Sequence, residues 1–265
     1  MILASHGLIA SLQGGFDADY QGILTYATNQ GYTLPSLAQR TKQNKLVVDL
    51  KAAGAWSKLD SFAMFATDGN SSFALIDWKR LSQYTAVNSP TFASNQGFTG
   101  NASSSYINTN FNPLSNATQM TTNSSSFGFY YRTAGSNSGV GSGAYIAPNS
   151  AGLYINPTGT GTIMRSWNNS NSGVNAGSNS SRVGLFHTDR NNSSNIYHIK
   201  DGVELANPTL ASSNRPNDNL YLLAANFGGA AELQNDQISM AFAGASLYSV
   251  RSDFNTAIST YLSSL

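Results

Sequence analysis

The sequence predicts a mainly β protein: an antiparallel β-sandwich with a helical hairpin before it and one helix after it. Two patterns in the last third of the chain predict the sandwich. Apolar and polar residues alternate at 238–242, and Asp201-Gly202 separates two strand-like segments, 195–200 and 203–205. Because Asp-Gly tolerates the positive φ angles of a type I′ turn, these two segments are predicted to form a β-hairpin.

The composition indicates one packed chain with an uncharged polar surface. Only 10% of the 265 residues are charged, whereas 29 are asparagine and 38 are serine, so amides and hydroxyls are expected to solvate the surface. Hydrophobic residues make up 40% of the chain and aromatic residues 11%, which favours a packed core over disorder. An all-β sandwich of this length is often a single domain.

The charge and the cysteine content exclude several classes of partner. The formal net charge is +1, so nucleic acid is not expected to bind. The basic residues Arg40, Lys42 and Lys45 follow a helical pattern and are interpreted as a solvated helix face. The chain has no cysteine, which excludes disulfide bonds and thiolate metal sites. No apolar run approaches the ~18 residues of a membrane span, so no membrane span is expected.

Residues 1–15 are predicted to form an N-terminal docking arm that ends at Gly14-Gly15. Residues 1–12 are largely apolar, but they lack the positively charged start of a signal peptide. The arm either docks on a partner or a sister subunit, or it is a frayed terminus. The sequence leaves both interpretations open.

Residues 16–60 are predicted to form a helical hairpin. The first helix covers residues 17–30 and is followed by Gly31, a glycine position typical of a helix C-terminus. Pro35-Ser36 opens the second helix, and Gly54 ends it. The apolar stripes of both helices are expected to pack on the rest of the protein.

Residues 61–265 are predicted to form the sandwich and the closing helix, because the apolar period changes to two. The predicted strands are apolar or alternating segments at 62–66, 73–77, 127–131, 153–155, 183–188, 220–225 and 238–242. Segments rich in Asn, Ser and Gly, at 168–173 and 175–181, predict loops, since such residues compete with strand ladders for backbone hydrogen bonds. The closing helix is predicted from apolar residues at helical spacing, with Ser252 as its N-cap.

The order of motifs in the last third of the chain resembles the concanavalin A-like and laminin-G-like superfamily of antiparallel jelly rolls. The motifs are Gly184, Arg190, Tyr197, Asp201-Gly202, the strand at 220–223, and residues 238–248 followed by a short helix. The resemblance implies a concanavalin A-like jelly roll. Many members of this superfamily bind carbohydrate.

Segments spread over most of the chain also look like virion proteins of tailed or related bacteriophages, of the tail-fibre, head-fibre or spike type. These segments are residues 50–60, 65–68, 77–79, 90–92, 97–101 and 105–113. The resemblance implies a structural virion protein, exposed at the virion surface, that forms a homo-oligomer with a trimer favoured. It also implies contact with other virion proteins through the N-terminal arm, and attachment to glycans of the host surface.

Catalytic signatures of enzymes with this fold are incomplete in the sequence. Glycan hydrolysis usually needs two flanking carboxylates, but the only glutamates, Glu204 and Glu232, do not fit the Glu-x-Asp-x-x-Glu pattern of laminarinase-like enzymes. Alginate-lyase-like jelly rolls use Gln-Ile-His, where this chain has Gln237-Ile-Ser239. We therefore expect no enzyme activity, and a polysaccharide depolymerase with a jelly-roll fold is the alternative.

No metal or cofactor is expected. His187, Asp189 and His198 lie on or beside neighbouring predicted strands, but their spacing fits no zinc motif. Besides the two histidines, a third strong zinc ligand is missing. Asp68-Gly-Asn70 resembles a fragment of a calcium loop, but the remaining ligands are absent, and turn chemistry explains the segment. The glycine-rich segment 139–143 lacks the lysine of a phosphate loop and is interpreted as a flexible connection.

Trp167, together with Asn168, Asn169 and Asn171, is the best candidate for a glycan-binding site. The C–H faces of a sugar ring stack on an indole, and side-chain amides both donate hydrogen bonds to hydroxyl groups and accept them. The competing interpretation places Trp167 in the core at the end of a strand. Both interpretations stay open at the level of sequence.

Overall fold

The computed structural model describes residues 15–136, 140–155, 162–179 and 181–265. Its helices are α1 (Ala18–Asn29), α2 (Leu37–Ala52), α3 (Ser71–Ala74), α4 (Pro113–Asn116) and α5 (Arg251–Ser263). The predicted docking arm, residues 1–15, lies outside the described residues except for Gly15. None of the helices in the described ranges is long and apolar enough to cross a membrane.

The strands are short in the first half of the chain and longer in the second half. They are β1 (Leu59–Met64), β2 (Ile76–Asp77), β3 (Ser82–Gln83), β4 (Thr85–Val87), β5 (Thr91–Ala93), β6 (Gly97–Thr99), β7 (Tyr106–Asn108), β8 (Ser125–Thr133), β9 (Val140–Ile146), β10 (Asn149–Ile155), β11 (Thr162–Ser170), β12 (Val174–Asn179), β13 (Gly184–Arg190), β14 (Tyr197–Lys200), β15 (Val203–Ala206), β16 (Tyr221–Leu222), β17 (Ala225–Asn226), β18 (Ala230–Ala231) and β19 (Gln237–Gly244).

The strands form two large sheets. The first sheet has the order β15-β14-β13-β8-β19-β6-β5, and β1 also pairs with β19. The second sheet has the order β12-β11-β10-β9-β16-β7-β4, with β17 and β18 attached beside β9. The described pairings are antiparallel, apart from the pairing of β17 with β9, which is parallel. Strands β2 and β3 form a separate small pair.

A hydrophobic core lies between the two sheets. Phe127, Phe129 and Phe186 of the first sheet belong to the same buried cluster as Leu153 and Met164 of the second. Large aromatic rings thus fill much of the inter-sheet space, and burying each of them contributes substantially to stability. This core is the one that the alternating strand pattern predicts.

A second core covers the other face of the first sheet. Apolar residues of α1, α2 and α5 share one buried cluster with Leu185, Met240 and Phe242 of that sheet. We call these three helices the helical layer. The predicted fold class is confirmed: the protein is an antiparallel β-sandwich with an N-terminal helical hairpin and a C-terminal helix. The domain boundaries at 16–60 and 61–265 stay a prediction, although the hairpin shares its core with the first sheet.

The buried hydroxyl of Tyr261 links the helical layer to the segment that follows β1. It accepts hydrogen bonds from the side-chain amides of Gln39 and Gln43, at 2.5 and 3.1 Å, and donates to the carbonyl of Ala66 at 2.7 Å. Gln43 also accepts a hydrogen bond from the hydroxyl of Tyr20 at 2.7 Å. A buried polar network whose members satisfy one another fixes how the elements that carry it are oriented.

Turn chemistry in the sequence predicts the hairpin correctly, but it predicts loops where strands form. Asp201 and Gly202 have φ angles of 50° and 77° and join β14 to β15. The predicted loop at 175–181 is wrong for most of its length, because β12 occupies it and pairs with β11. The predicted flexible connection at 139–143 is wrong from residue 140 onwards, where β9 begins. In both cases partner strands satisfy the backbone groups.

Two predicted strands are each divided in the structure, and one helix begins elsewhere than predicted. Residues 220–225, predicted as one strand, are divided between β16 and β17. Residues 73–77, predicted as one strand, are divided between α3 and β2, because the Asn70 side chain caps α3 by accepting a hydrogen bond from the Phe73 amide at 2.9 Å. Helix α5 begins one residue before Ser252, and its N-cap is Val250. Ser252 therefore lies in the first turn, and the prediction that it caps the helix is wrong.

Tyr261→Phe is expected to destabilise the protein by about 1–3 kcal/mol, because two buried amides and one carbonyl lose this partner. Urea denaturation followed by circular dichroism measures the change. Tyr26→Phe is the matched control, since Tyr26 is half-buried against the same layer and its hydroxyl bonds to none of the described residues. If Tyr261→Phe were as stable as this control, the network would not hold the layer in place.

Candidate functional site

The second sheet has an outward face that the helical layer does not cover. On three of its neighbouring strands, Ala144, Leu153 and Met164 point into the inter-sheet core. Because successive residues of a strand point to opposite faces, the residues beside these three point outward. The outward residues beside them are Tyr145, Gly152, Tyr154 and Arg165. Trp167 lies two residues after Arg165 and opposite Gly152, so it shares this outward face.

Four aromatic rings gather on this outward side: those of Tyr145, Tyr154, Trp167 and Phe227, which we call the aromatic face. The ring centroid of Tyr145 lies 5.4 Å from that of Tyr154, 4.8 Å from that of Trp167 and 5.1 Å from that of Phe227. Tyr145 is buried, Tyr154 and Trp167 are half-buried, and Phe227 is 51% exposed. Each such ring contact is worth about 0.5–1.5 kcal/mol, so the rings hold one another in place.

Glycines beneath the rings let them lie close to the sheet. A Cβ atom added to Gly152 would come within 2.3 Å of the Tyr145 ring, and one added to Gly173 within 2.2 Å of the Trp167 ring. Any larger residue at either position would displace the ring, so the aromatic face depends on glycine there. Gly152 also lies directly opposite Trp167 in the pairing of β10 with β11.

One positive side chain borders the aromatic face, and one negative side chain acts on it electrostatically. The guanidinium carbon of Arg165 lies 4.4 Å from the centroid of the Trp167 ring, and Arg165 pairs with no carboxylate of the described residues. Burial, and then the charge of the exposed Glu232, raise the pKa of Tyr145 well above its ordinary value. A guanidinium only donates hydrogen bonds and a carboxylate only accepts them. Together they can bind hydroxyl groups, which do both.

The structure separates the four residues that the sequence predicts as a ligand site, because β11 is irregular at its end: Asn169 has a φ angle of 52°, and the pairing register shifts beside it. Trp167 belongs to the aromatic face, and Asn171 is exposed in the bend after β11. Asn168 and Asn169 are buried, with exposed fractions of 2% and 0%. The Asn169 amide donates to the carbonyl of Thr121 at 3.0 Å and so holds a loop rather than facing solvent. The four residues do not form one surface, and ligand binding by them stays a prediction.

His187, Asp189 and His198 do not come together as a cluster. His187 and Asp189 point toward the helical layer, whereas His198 points between the sheets, where its Nε2 lies 2.6 Å from the hydroxyl of Ser166. Asp189 accepts a hydrogen bond from the Leu247 amide at 2.7 Å, and burial raises its pKa to about 7. The described residues contain no group of three metal-ligating side chains.

His187 is a buried histidine without polar partners. Its side chain is fully buried, and neither ring nitrogen is hydrogen-bonded to another described residue. Its ring packs edge-on against that of Phe242, with 5.7 Å between the centroids. Burial, and then the positive charge of Arg251, lower the pKa of His187 to about 3. The imidazole is therefore neutral at neutral pH, and its ring packs among apolar side chains.

The sequence predicts Trp167 as a site residue but does not point to Tyr145, Tyr154, Arg165 or Phe227. A signal exists for one of them, because residues 141, 143 and 145 are Gly, Gly and Tyr and share one face of β9. Alternating glycines that end in a tyrosine mark a strand against which a ring can lie. The other rings come from separate strands, and only the pairing register brings them together.

Comparison with known proteins supports the fold. No protein-family model and no curated protein sequence matches the chain. Among solved structures, the sialidase of Trypanosoma rangeli in complex with 2,3-difluorosialic acid is similar, with a TM-score of 0.51 and 12% sequence identity over 85% of this chain. The match covers 40% of the sialidase chain, so this chain spans about two fifths of that protein.

Two further structures are similar at slightly lower TM-scores. Domain 4 of an extracellular arabinanase from Geobacillus stearothermophilus, in complex with arabinotriose, gives a TM-score of 0.47 and 15% identity over 75% of this chain and 98% of that chain. The receptor-binding domain of a botulinum neurotoxin of the C/D mosaic serotype gives a TM-score of 0.48 and 11% identity over 77% of this chain and 51% of that chain. At these identities the likenesses concern the fold alone.

His187→Leu is expected to remove an acid-sensitive component of stability. Because the pKa of His187 falls from 6.5 to about 3 on folding, its contribution is complete above pH 6.5 and is lost as the pH falls toward 3. Between pH 7 and pH 5 this loss amounts to about 2 kcal/mol. Urea denaturation of wild type and variant at both pH values measures it.

The comparison isolates His187, because Asp189 titrates in both proteins and its contribution cancels in the difference. His198→Gln is the control, since His198 has a hydrogen-bonding partner in Ser166. If the stability of the wild type and that of His187→Leu changed equally between pH 7 and pH 5, the prediction would be contradicted. His187 would then take up a proton in the folded protein as readily as in the unfolded chain.

Proposed function

We propose that this protein binds neutral glycans through the aromatic face. The observation that carries the proposal is the set of rings held on an outward sheet face, with Arg165 and Glu232 beside them. Pyranose rings present apolar C–H faces to aromatic rings and hydroxyl groups to polar side chains. The resemblance of the sequence to concanavalin A-like jelly rolls supports the same function.

Trp167→Ala is expected to weaken glycan binding at least ~30-fold, because a central tryptophan of a binding surface commonly contributes 2 kcal/mol or more. A glycan array carrying host-surface polysaccharides and neutral oligosaccharides, followed by titration calorimetry on the best ligand, measures the effect. Trp167→Phe retains an aromatic surface and is expected to keep part of the affinity.

A control variant separates loss of binding from loss of folding. Leu37→Ala removes a side chain that is 65% exposed and lies on α2, far from the aromatic face in the layer order, so binding should not change. Melting temperatures of all variants show whether each one folds. Saturable glycan binding that persists unchanged in a folded Trp167→Ala variant would rule out this face as the site.

We propose that binding occurs without turnover of the glycan. In support, the two glutamates do not lie beside each other: Glu204 is on β15, in the first sheet, whereas Glu232 directly follows β18, which belongs to the second sheet. Glu204 accepts a hydrogen bond from the Tyr248 hydroxyl at 2.5 Å. Release of new reducing ends or of unsaturated products from host exopolysaccharide would instead favour the depolymerase alternative.

We further propose that the protein is a surface-exposed bacteriophage virion subunit, of the fibre, spike or capsid-decoration type, which attaches to host glycans. The support is the resemblance of the sequence segments to virion proteins. In this proposal the N-terminal arm contacts other virion proteins, and the subunit forms a homotrimer. Locating the chain in a density map of an assembled particle tests position and symmetry together. A monomeric protein that immunolabelling does not find on particles would exclude the proposal.

A further inference from the structure

A second pair of aromatic rings lies on the outward side of the second sheet, several strands away from Trp167. Tyr106 on β7 and Tyr221 on β16 have ring centroids 4.7 Å apart and planes inclined by 33°. Both side chains are half-buried. Their neighbours Ile107 and Leu222 are buried in the inter-sheet core, so the two tyrosines point outward. This pair shares a face with the rings described above.

The strand register places Trp167 and Tyr221 in one row across the sheet. Trp167 lies opposite Gly152, Gly152 opposite Gly143, and Gly143 opposite Tyr221. The row continues to Asn108, which lies opposite Tyr221 on β7. The two positions between Trp167 and Tyr221 are glycines. The ring of Tyr145 lies over one of them, Gly152, so a ligand that follows the row passes this ring between the two aromatic residues.

The spacing of the strands sets the distance between the two stacking surfaces. Three inter-strand steps of ~4.8 Å separate the backbones of Trp167 and Tyr221, which gives roughly 14 Å. One sugar ring cannot contact rings at both ends of such a row. A ligand that runs across the strands and contains several sugar units can reach both.

We propose, on the basis of the glycan-binding function, that the ligand is a linear, neutral oligosaccharide or polysaccharide chain that lies along the row from Trp167 to Tyr221. In this arrangement Trp167 and Tyr154 form one stacking subsite, and Tyr221 with Tyr106 forms the other. The ligand is therefore recognised along its length rather than at a single terminal sugar.

The charges on this face favour a neutral chain. Arg165 beside Trp167 attracts an anionic sugar. The exposed Glu232, which directly follows β18 in the group of strands attached to β9, and Asp218, three residues before Tyr221, oppose an anionic sugar farther along the row. A chain with a carboxylate on every unit would meet repulsion at two of these three positions. Hydroxyl groups meet no such repulsion, since they donate hydrogen bonds to carboxylates and accept them from a guanidinium group.

The dependence of affinity on chain length tests the inference. Linear oligosaccharides of glucose, mannose, xylose and arabinose, each from disaccharide to hexasaccharide, are titrated into the full chain by calorimetry. For the series that binds, the hexasaccharide is expected to bind about tenfold more tightly than the disaccharide, because one further stacking contact is worth about 1.4 kcal/mol. Tyr221→Ala is expected to abolish this gain, so that the hexasaccharide binds the variant no more tightly than the disaccharide does.

Control variants make the outcomes distinct. Tyr221→Phe keeps the ring and is expected to keep the gain with length, while Trp167→Ala weakens short and long ligands alike. Equal affinities along the binding series, or a Tyr221→Ala variant that retains the gain, would overturn the chain-length inference and leave glycan binding intact. If Trp167→Ala had no effect on any ligand, or if no series and no host polysaccharide bound, the proposed function would fail as well.

Discussion

Burial of the first sheet on both faces is the constraint on which the rest of the structure depends. One face supplies Phe127, Phe129 and Phe186 to the inter-sheet core, and the other packs against the helical layer. Strands β13 and β19 are consequently buried at every position. Polar side chains such as Thr188, Asp189 and Ser239 are hydrogen-bonded inside the protein, whereas His187 has only the packing of neighbouring rings. The outward face of the second sheet is left with its aromatic rings at the surface.

The same constraint explains how a chain with few charges uses its carboxylates. Asp60, Asp77, Asp189 and Asp236 are all buried. Asp60 accepts hydrogen bonds from three successive amides of residues 118–120, and Asp77 accepts from the Ser61 hydroxyl and from Arg80. These carboxylates hold loops against the sheets, which is why an inventory of acidic residues in the sequence overstates the number available for chemistry.

The sequence predicts those features that depend on neighbours along the chain. The hairpin at Asp201-Gly202 and the helices α1, α2 and α5 follow from turn residues and apolar spacing, and the structure contains all of them. The strand β12 is missed, because asparagine and serine favour turns until a partner strand satisfies the backbone. The aromatic face is largely missed for a related reason. Its residues lie far apart in sequence, and the pairing register that assembles them is a property of the folded sheet.

The indole N–H signals of the three tryptophans provide the most direct test of glycan binding by the aromatic face. Trp56 donates its indole N–H to Asp19 at 2.9 Å, and Trp78 is buried against the helical layer, whereas Trp167 lies on the aromatic face. In a ¹H–¹⁵N titration with linear hexasaccharides of glucose, mannose, xylose and arabinose, we expect the Trp167 signal to shift with a binding ligand while the other two stay in place. Saturable binding with an unmoved Trp167 signal, or shifts confined to Trp56 and Trp78, would contradict the account.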